Sequence, residues 1–414
     1  MYLLSGYILE SYGVLTMDIY DYKKRLEKVE NKIRNSSISD KNKKIIFNFE
    51  KQMFIKELSM PRIERCISII GIISEKLGKD LDCLEKEDIE EFLEWIQRRD
   101  IKDWTKHTYK QVFKTYLKKT GKSDLASLVV IKKVRNKIPE IFTRQEIMKM
   151  IDSALHPMDK ALIASLYETG CRIGELAGLQ IKNVHFDNYG AIIIVNGKTG
   201  MRRIRTIFSA PYLSSWLDIH PNKLDPNSPF WIRFGSNGKT NGFKNNTVEQ
   251  LMYPALTMRI KRTAKKAGIQ KRVYNHLFRH TSATEKSEIL TSAQMCEYFG
   301  WTQGSTMSQI YVHLSGRNLD DTLLKAYGIS KDNSPKEKDL APIKCPRCGT
   351  VNGATGKFCN KCGAALDLVA AIDVDKGRAS LTMELINLIR QEPALLELLK
   401  GHMESKNGTE KIKK

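Results

Sequence analysis

The hydrophobic positions of this chain keep one period for about a hundred residues and then change it. From about Tyr20 to Gly121, apolar residues recur at three- and four-residue spacing, as in helices that bury one face. SMPRIERCISIIGIISEKLG puts Pro61 where a helix should begin, and KEDIEEFLEWIQRRD and DWTKHTYKQVFKTYLKKTG continue the rhythm. In the last of these, Tyr109, Val112, Phe113, Tyr116 and Leu117 form one stripe, and Lys106, Lys110, Lys114 and Lys118 line up along another. VVIKKVRNKIPEIF then loses the period, gathers lysine and arginine and contains Pro139, so it reads as a linker. TRQE (Thr143 to Glu146) fits a capping box and opens a second domain near residue 138.

Two helices are expected around LYETGCRIGEL, which turns at Thr169-Gly170. NVHFDNYG, AIIIVNGKTG and RRIRTIF then read as strands, with turns at Asn188–Gly190 and Asn196–Gly200. Helices return from about Thr247 and continue to Tyr327. KDNSPKEKDLAP is a polar linker, a cysteine-rich stretch follows it, and SLTMELINLIRQEPALLELLKGHM is again helical before a polar end expected to be disordered. The expected fold is mainly α with a small antiparallel sheet (α+β). Its parts are a helical domain over 20–125, a second domain over 138–328, a small module over 341–366 and a C-terminal helix over 378–403.

Composition narrows the class. At 414 residues, 41% hydrophobic and 28% charged, the chain is globular, with room for two or three domains. Its formal charge of +21 calls for a polyanionic partner, nucleic acid first, although an anionic membrane surface or a ribosome-like scaffold would attract the same charge. No segment approaches the roughly 20 apolar residues that span a bilayer. The opening MYLLSGYILESYGVLTM is interrupted by Glu10 and lacks a basic n-region, so it reads as neither signal peptide nor anchor, and Met17 is an alternative start. Cys66, Cys83, Cys171 and Cys296 are scattered as reduced thiols are, which suits a cytoplasmic location.

Cys345, Cys348, Cys359 and Cys362 have the spacing C-x2-C-x10-C-x2-C, with Gly349 and Gly363 directly after each pair. Two such knuckles bring four thiolates to one tetrahedral ion, so a closed, structural Zn2+ site in a zinc ribbon is expected. The sequence leaves open whether the ribbon binds DNA or docks a protein, and whether the C-terminal helix packs on it or self-associates.

The arginine of LYETGCRIGEL needs a reason, because charged side chains among apolar neighbours are seldom left unpaired. Glu175 is the obvious partner. Taken singly, Arg172, a turn lysine at Lys198 and His276 and Arg279 in NHLFRHTSAT all have ordinary structural explanations. Together with EYFGWTQGSTMSQIYVHLSG, which sets Trp301 after a Phe-Gly turn and Tyr311 ten residues later, they form an ordered set. That set resembles the tyrosine recombinases, or lambda-integrase family, over roughly residues 20 to 328. FGW stands where LGH is frequent, the gap to the tyrosine is one residue longer, and FGW with YVHLSGR looks most like archaeal integrases.

The resemblance implies a helical core-binding domain followed by a catalytic domain, clamped around double-stranded DNA. It places Arg172, His276, Arg279 and Trp301 at the scissile phosphate, Lys198 as the acid for the 5′-hydroxyl, and Tyr311 as the nucleophile that forms a 3′-phosphotyrosine. A phenol with an ordinary pKa near 10 needs a cationic surround or a base such as His276. Glu175 would orient Arg172 without reacting, and Tyr298, before the turn, fits a buried helix position better than a nucleophile. No cofactor is expected for catalysis, since the ester keeps the bond energy and neither a phosphate loop nor an obvious acidic Mg2+ cluster is present. Integration or excision of a mobile element or virus, or chromosome-dimer resolution, by a homotetramer on paired DNA sites follows from the resemblance. The lysine row Lys106, Lys110, Lys114 and Lys118 would add phosphate contacts. A type IB topoisomerase-like DNA relaxation and a non-catalytic DNA-binding protein are the rival classes.

Overall fold

The computed structural model describes residues 19–132, 140–197, 199–233, 248–314, 327 and 341–391. The chain divides into two compact units, one over 17–139 and one that takes up everything from Glu140 onward.

The first unit is helical: α1 (Tyr22–Arg34), α2 (Asp40–Ile55), α3 (Met60–Leu77), α4 (Lys86–Arg98), α5 (Asp103–Lys119) and the short α6 (Ser123–Leu128). Helix α3 starts with Pro61 in its first turn, where the missing N–H costs nothing. It packs on α1, α2, α4 and α5. Ile63, Ile67, Ile70 and Ile73 recur along it at helical spacing and are fully buried. Each contributes about 1.5–3 kcal/mol relative to an exposed isoleucine. The α5 stripe is buried as its spacing predicts, with Val112, Phe113, Tyr116 and Leu117 in the core and Tyr109 packed against it.

In the second unit, α7 (Arg144–Ser153) begins on the expected capping box: Thr143 accepts the Glu146 N–H and Glu146 accepts the Thr143 N–H. Then come α8 (Pro157–Thr169), the one-turn α9 (Ile173–Ala177) and an antiparallel sheet, β1 (Val184–Asp187), β2 (Gly190–Gly197) and β3 (Gly200–Thr206), in the order β1-β2-β3. Next are α10 (Ala210–Asp218), α11 (Tyr253–Lys266), α12 (Asn275–Lys286), α13 (Ser292–Phe299) and α14 (Met307–Leu314). Helix α10 has no counterpart among the elements expected from sequence. It lies against α8, and the Trp216 indole N–H it buries is satisfied by the Phe230 carbonyl at 2.8 Å.

Two boundaries differ from expectation. Helix does not resume near Thr247; residues 248–252 run extended beside Trp231 and Ile232, and α11 starts at Tyr253, with Pro254 in its first turn. The C-terminal helix α15 (Leu368–Gln391) begins about ten residues earlier than 378. The Asp367 carboxylate accepts the Ala370 N–H at 2.7 Å and caps that earlier start. Its first turns carry Asp373, Asp375, Lys376 and Gly377, which hide the hydrophobic period. The linker at 133–139 and the end beyond 391 fall outside the described residues. No helix among the described residues is long and apolar enough to cross a membrane.

Candidate active site and metal centre

Arg172 is the N-cap of α9, and its pairing answers the question its sequence context raises. Glu175 accepts the Arg172 backbone N–H at 2.9 Å and its Nη1 at 2.7 Å. The same carboxylate takes Nη2 of Arg202, from β3, at 2.6 Å. The Glu175 and Arg202 side chains are 5% and 8% exposed, whereas Arg172 is 39% exposed. One arginine is therefore locked beneath the carboxylate, and the other extends from it toward solvent. Burial works against the Glu175 carboxylate, but hydrogen bonds and the charges of Arg202 and Arg172 outweigh it and hold its pKa below the usual range. Arg202 also donates Nε to the Tyr298 carbonyl at 3.1 Å, tying β3 to α13.

Arg279, on α12, is 2% exposed. Its two terminal nitrogens donate to the carbonyls of Gly170 at 3.0 Å and Phe299 at 2.6 Å, the two helix ends that flank the pocket. Its guanidinium lies 5.5 Å from the Trp301 ring centroid and 5.3 Å from that of Phe299. Burial, then the charge of Arg172, lowers its pKa to about 10, so it stays charged at neutral pH.

Tyr311, on α14, is 2% exposed. Its ring stacks on Trp301 with centroids 5.6 Å apart and planes within 6°. Its hydroxyl lies 2.6 Å from Nδ1 of His280. Burial raises the phenol pKa, and the Arg279 charge offsets this only in part. His276, one turn before His280, meets it edge to face at 5.1 Å. His276 keeps an exposed edge, yet the atoms packed around it push its pKa down to about 4, with His280, Arg279 and Arg172 adding to the shift. His280 is lowered by burial and then by Arg279. Near neutral pH both imidazoles are uncharged and the phenol keeps its proton.

The fold thus brings Arg172, His276, Arg279, Trp301 and Tyr311 together from α9, α12, the α13–α14 turn and α14. Lys198 lies outside the described residues. Its neighbours do not: a Cβ on Gly197 would sit 2.5 Å from Glu175 Oε1, and Thr199 donates to the Gly300 carbonyl at 3.2 Å. The β2–β3 turn therefore touches both halves of the pocket. Tyr298 donates to the Glu168 carbonyl at 3.0 Å, and burial raises its pKa, so it is a packing residue. In the first unit, Lys106 donates to the Gln97 carbonyl at 2.7 Å and Lys114 to the Val129 carbonyl at 2.8 Å. These two lysines also brace helix ends, while Lys118 is exposed and Lys110 half-buried. Sequence reasoning missed Arg202 and His280. His280 carried a signal, since it is four residues from His276 and so shares its helix face.

The four cysteines converge. Cys345 and Cys362 Sγ are 3.6 Å apart, as are Cys348 and Cys359, and all four lie within 4.8 Å of one another. Zn–S bonds of about 2.3 Å in a tetrahedron set the sulfurs about 3.8 Å apart, so this cluster fits a thiolate-bound metal. Short strands β4 (Ile343–Lys344) and β5 (Val351–Asn352) frame the first knuckle. Gly349 and Gly363 adopt φ of 73° and 69°, which a tight turn after each cysteine pair requires. The module rests on α10: the Tyr212 and Thr355 hydroxyls are 3.0 Å apart, and Asn360 Nδ2 donates to Ser215 Oγ at 2.8 Å.

Part of the chain is similar to known proteins. Residues 141–317 match the family described as "Phage integrase family". Tyrosine recombinase XerD of Bifidobacterium longum is 24% identical over 215 residues, covering 50% of this chain and 68% of its own. Tyrosine recombinase XerA of Pyrococcus horikoshii is 27% identical over 217 residues, covering 52% and 71%. A crystal structure of a lambda integrase dimer bound to a COC′ core site shares the fold, with a TM-score of 0.51 and 14% identity, covering 66% of this chain and 77% of that one. Taken with the ordered motifs and the pocket they build, these matches make residues 141–317 similar to the phage integrase family and to the tyrosine recombinases among its relatives.

Proposed function

We propose that the chain is a site-specific DNA recombinase that breaks and rejoins double-stranded DNA through Tyr311. One observation supports the reading: Trp301 stacks on Tyr311, Arg279 lies beside Trp301, and His276 and Arg172 lie near Arg279, although they come from separate elements. A phosphodiester gathers negative charge as it becomes pentacovalent, and guanidiniums already held in place stabilise that charge without reorganising. Arg172, braced by Glu175 and open to solvent, suits a non-bridging oxygen. Arg279 supplies fixed positive charge beneath it. His276, uncharged and at the mouth, and the Trp301 indole N–H can donate to the same phosphate.

Tyr311 would attack phosphorus to leave a 3′-phosphotyrosine, with Lys198 protonating the departing 5′-oxygen. Reversal by a 5′-hydroxyl from a partner strand completes exchange, so neither nucleotide nor metal is consumed. The lysine row and the overall positive charge would hold the DNA backbone, and binding should weaken steeply with salt. We read the active form as a homotetramer on paired sites in the cytoplasm, serving integration, excision or dimer resolution. The four-cysteine module would carry structural Zn2+ through Cys345, Cys348, Cys359 and Cys362.

The test is covalent capture on a random-sequence duplex library nicked at its centre, so that cleavage traps the protein. A detergent-stable adduct that Tyr311→Phe abolishes is expected. An adduct that persists in Tyr311→Phe, or none from the intact protein, would overturn the reading. Relaxation of supercoiled plasmid by a monomer without paired sites would favour a topoisomerase instead.

A further inference from the structure

We propose that His280 accepts the Tyr311 proton when the phenol attacks DNA, leaving His276 to serve the phosphate. The inference rests on Tyr311 being the nucleophile.

Position comes first. Nδ1 of His280 is 2.6 Å from the Tyr311 hydroxyl, within reach for direct proton transfer. His276 shares the helix face but sits a turn away, toward the mouth and Arg172.

Elimination points the same way. The groups that face the phenol are His280, Trp301, Arg279 and Tyr274. An indole N–H only donates, and a guanidinium has no acceptor site. Tyr274 would have to take the proton as a second neutral phenol, which is a far weaker base than an imidazole. An uncharged His280 with its proton on Nε2 presents Nδ1 as an acceptor. Its burial and its neighbour Arg279 keep it in that form. Tyr311 is fixed on three sides, by Trp301 stacking, by His280 at its hydroxyl, and by Ser287, which donates to its carbonyl at 3.2 Å.

The step balances. The Tyr311 O–H bond breaks and its proton moves to His280, which becomes imidazolium as the O–P bond forms. The P–O5′ bond breaks, and the 5′-oxygen takes its proton from Lys198. In ligation the incoming 5′-hydroxyl gives its proton back to the neutral Lys198 amine as its oxygen bonds to phosphorus, and the expelled tyrosine oxygen takes its proton back from His280.

The experiment compares His280→Asn, His276→Asn and the intact protein for the initial rate of adduct formation on the nicked library, from pH 5 to 9.5. Asn keeps a hydrogen-bond acceptor near Nδ1 but cannot take a proton. The intact protein should rise with pH and level off once His280 is uncharged. His280→Asn should be slower by about 10²–10⁴-fold, and its remaining rate should climb about tenfold per pH unit as solvent base takes over. His276→Asn should lose rate while keeping the plateau. A His280→Asn rate near that of the intact protein with the plateau intact, or a climbing profile confined to His276→Asn, overturns the inference. If His280→Asn does not fold, nitrogen NMR of labelled histidine in the intact protein and in Tyr311→Phe decides. An Nδ1 signal of His280 that shifts on loss of the hydroxyl supports the pairing, and an unchanged signal overturns it. Absence of any adduct from the intact protein would instead sink the recombinase reading, which keeps the two failures apart.

Discussion

The two polar clusters of the second unit are built in opposite ways. The cysteine cluster takes its groups from 18 consecutive residues, Cys345 to Cys362, and the turns that converge them are local. The arginine–tyrosine pocket takes its groups from Arg172 to Tyr311, and nothing local brings them together. The difference shows in what satisfies the polar atoms. In the cysteine module the four thiols have chiefly one another, an arrangement that a metal ion could complete. In the pocket most of the buried polar groups already have protein partners: Glu175 holds Arg202 and Arg172, and Arg279 binds two carbonyls, with Arg202 Nη1 left over. Loss of a metal should therefore disturb the cysteine module's fold more than the pocket's.

That contrast can be broken at several points. The largest effect belongs to Tyr311→Phe, which should eliminate the covalent adduct entirely, while Arg172→Ala should slow it by about 10²–10³-fold. Both are read by gel assay of the trapped complex. Chelation of the metal, or Cys345→Ser, should next unfold the cysteine module, as seen by protease cleavage within 341–366. The adduct rate should stay within about tenfold, because the contacts through Tyr212 and Ser215 lie on α10, outside the pocket. A loss as deep as that of Arg172→Ala would erase the distinction between the two clusters.

Glu175→Gln tests the pocket's own balance. Removing one partner from a buried pair leaves charge uncompensated, and a loss of about 3–5 kcal/mol in urea unfolding is expected. Smaller effects should follow pH. An unfolded histidine has a pKa of about 6.5, whereas His276 is lowered to about 4 in the fold and His280 is lowered too. Between those values the unfolded chain binds the extra protons, so stability rises with pH across the window and is lost on acidification from about 6.5 toward 4. Melting temperatures at pH 7 and pH 5 should differ less in a His276→Gln, His280→Asn double variant. An undiminished difference would place the acid sensitivity elsewhere.

Much of the pocket was legible because its residues sit in ordered motifs, TG-x-R-x-x-E-L, H-x-x-R, F-G-W and the tyrosine ten residues on. The turn at Gly170, the capping box at Thr143 and the hairpin carrying Lys198 followed from local chemistry, and they stand where expected. Arg202 escaped because a strand arginine beside Arg203 and Arg205 looks like solvated charge. Only the fold shows that alternation turns Arg202 inward to Glu175 and leaves Arg203 exposed. His280 escaped because a motif names the histidine three before the arginine and is silent about the one after it.

The sequence by itself determined the helical periods, the hairpin and the cysteine spacing, since each depends on neighbours a few residues away, and its ordered motifs named the candidate site residues. Only the tertiary structure decided which histidine meets the phenol, which arginine is sealed under Glu175 and which still faces solvent. Those outcomes depend on how α12, α13 and α14 pack beside α9 and the β2–β3 turn. Packing sets distances and local dielectric between residues more than a hundred positions apart, and no spacing along the chain encodes either.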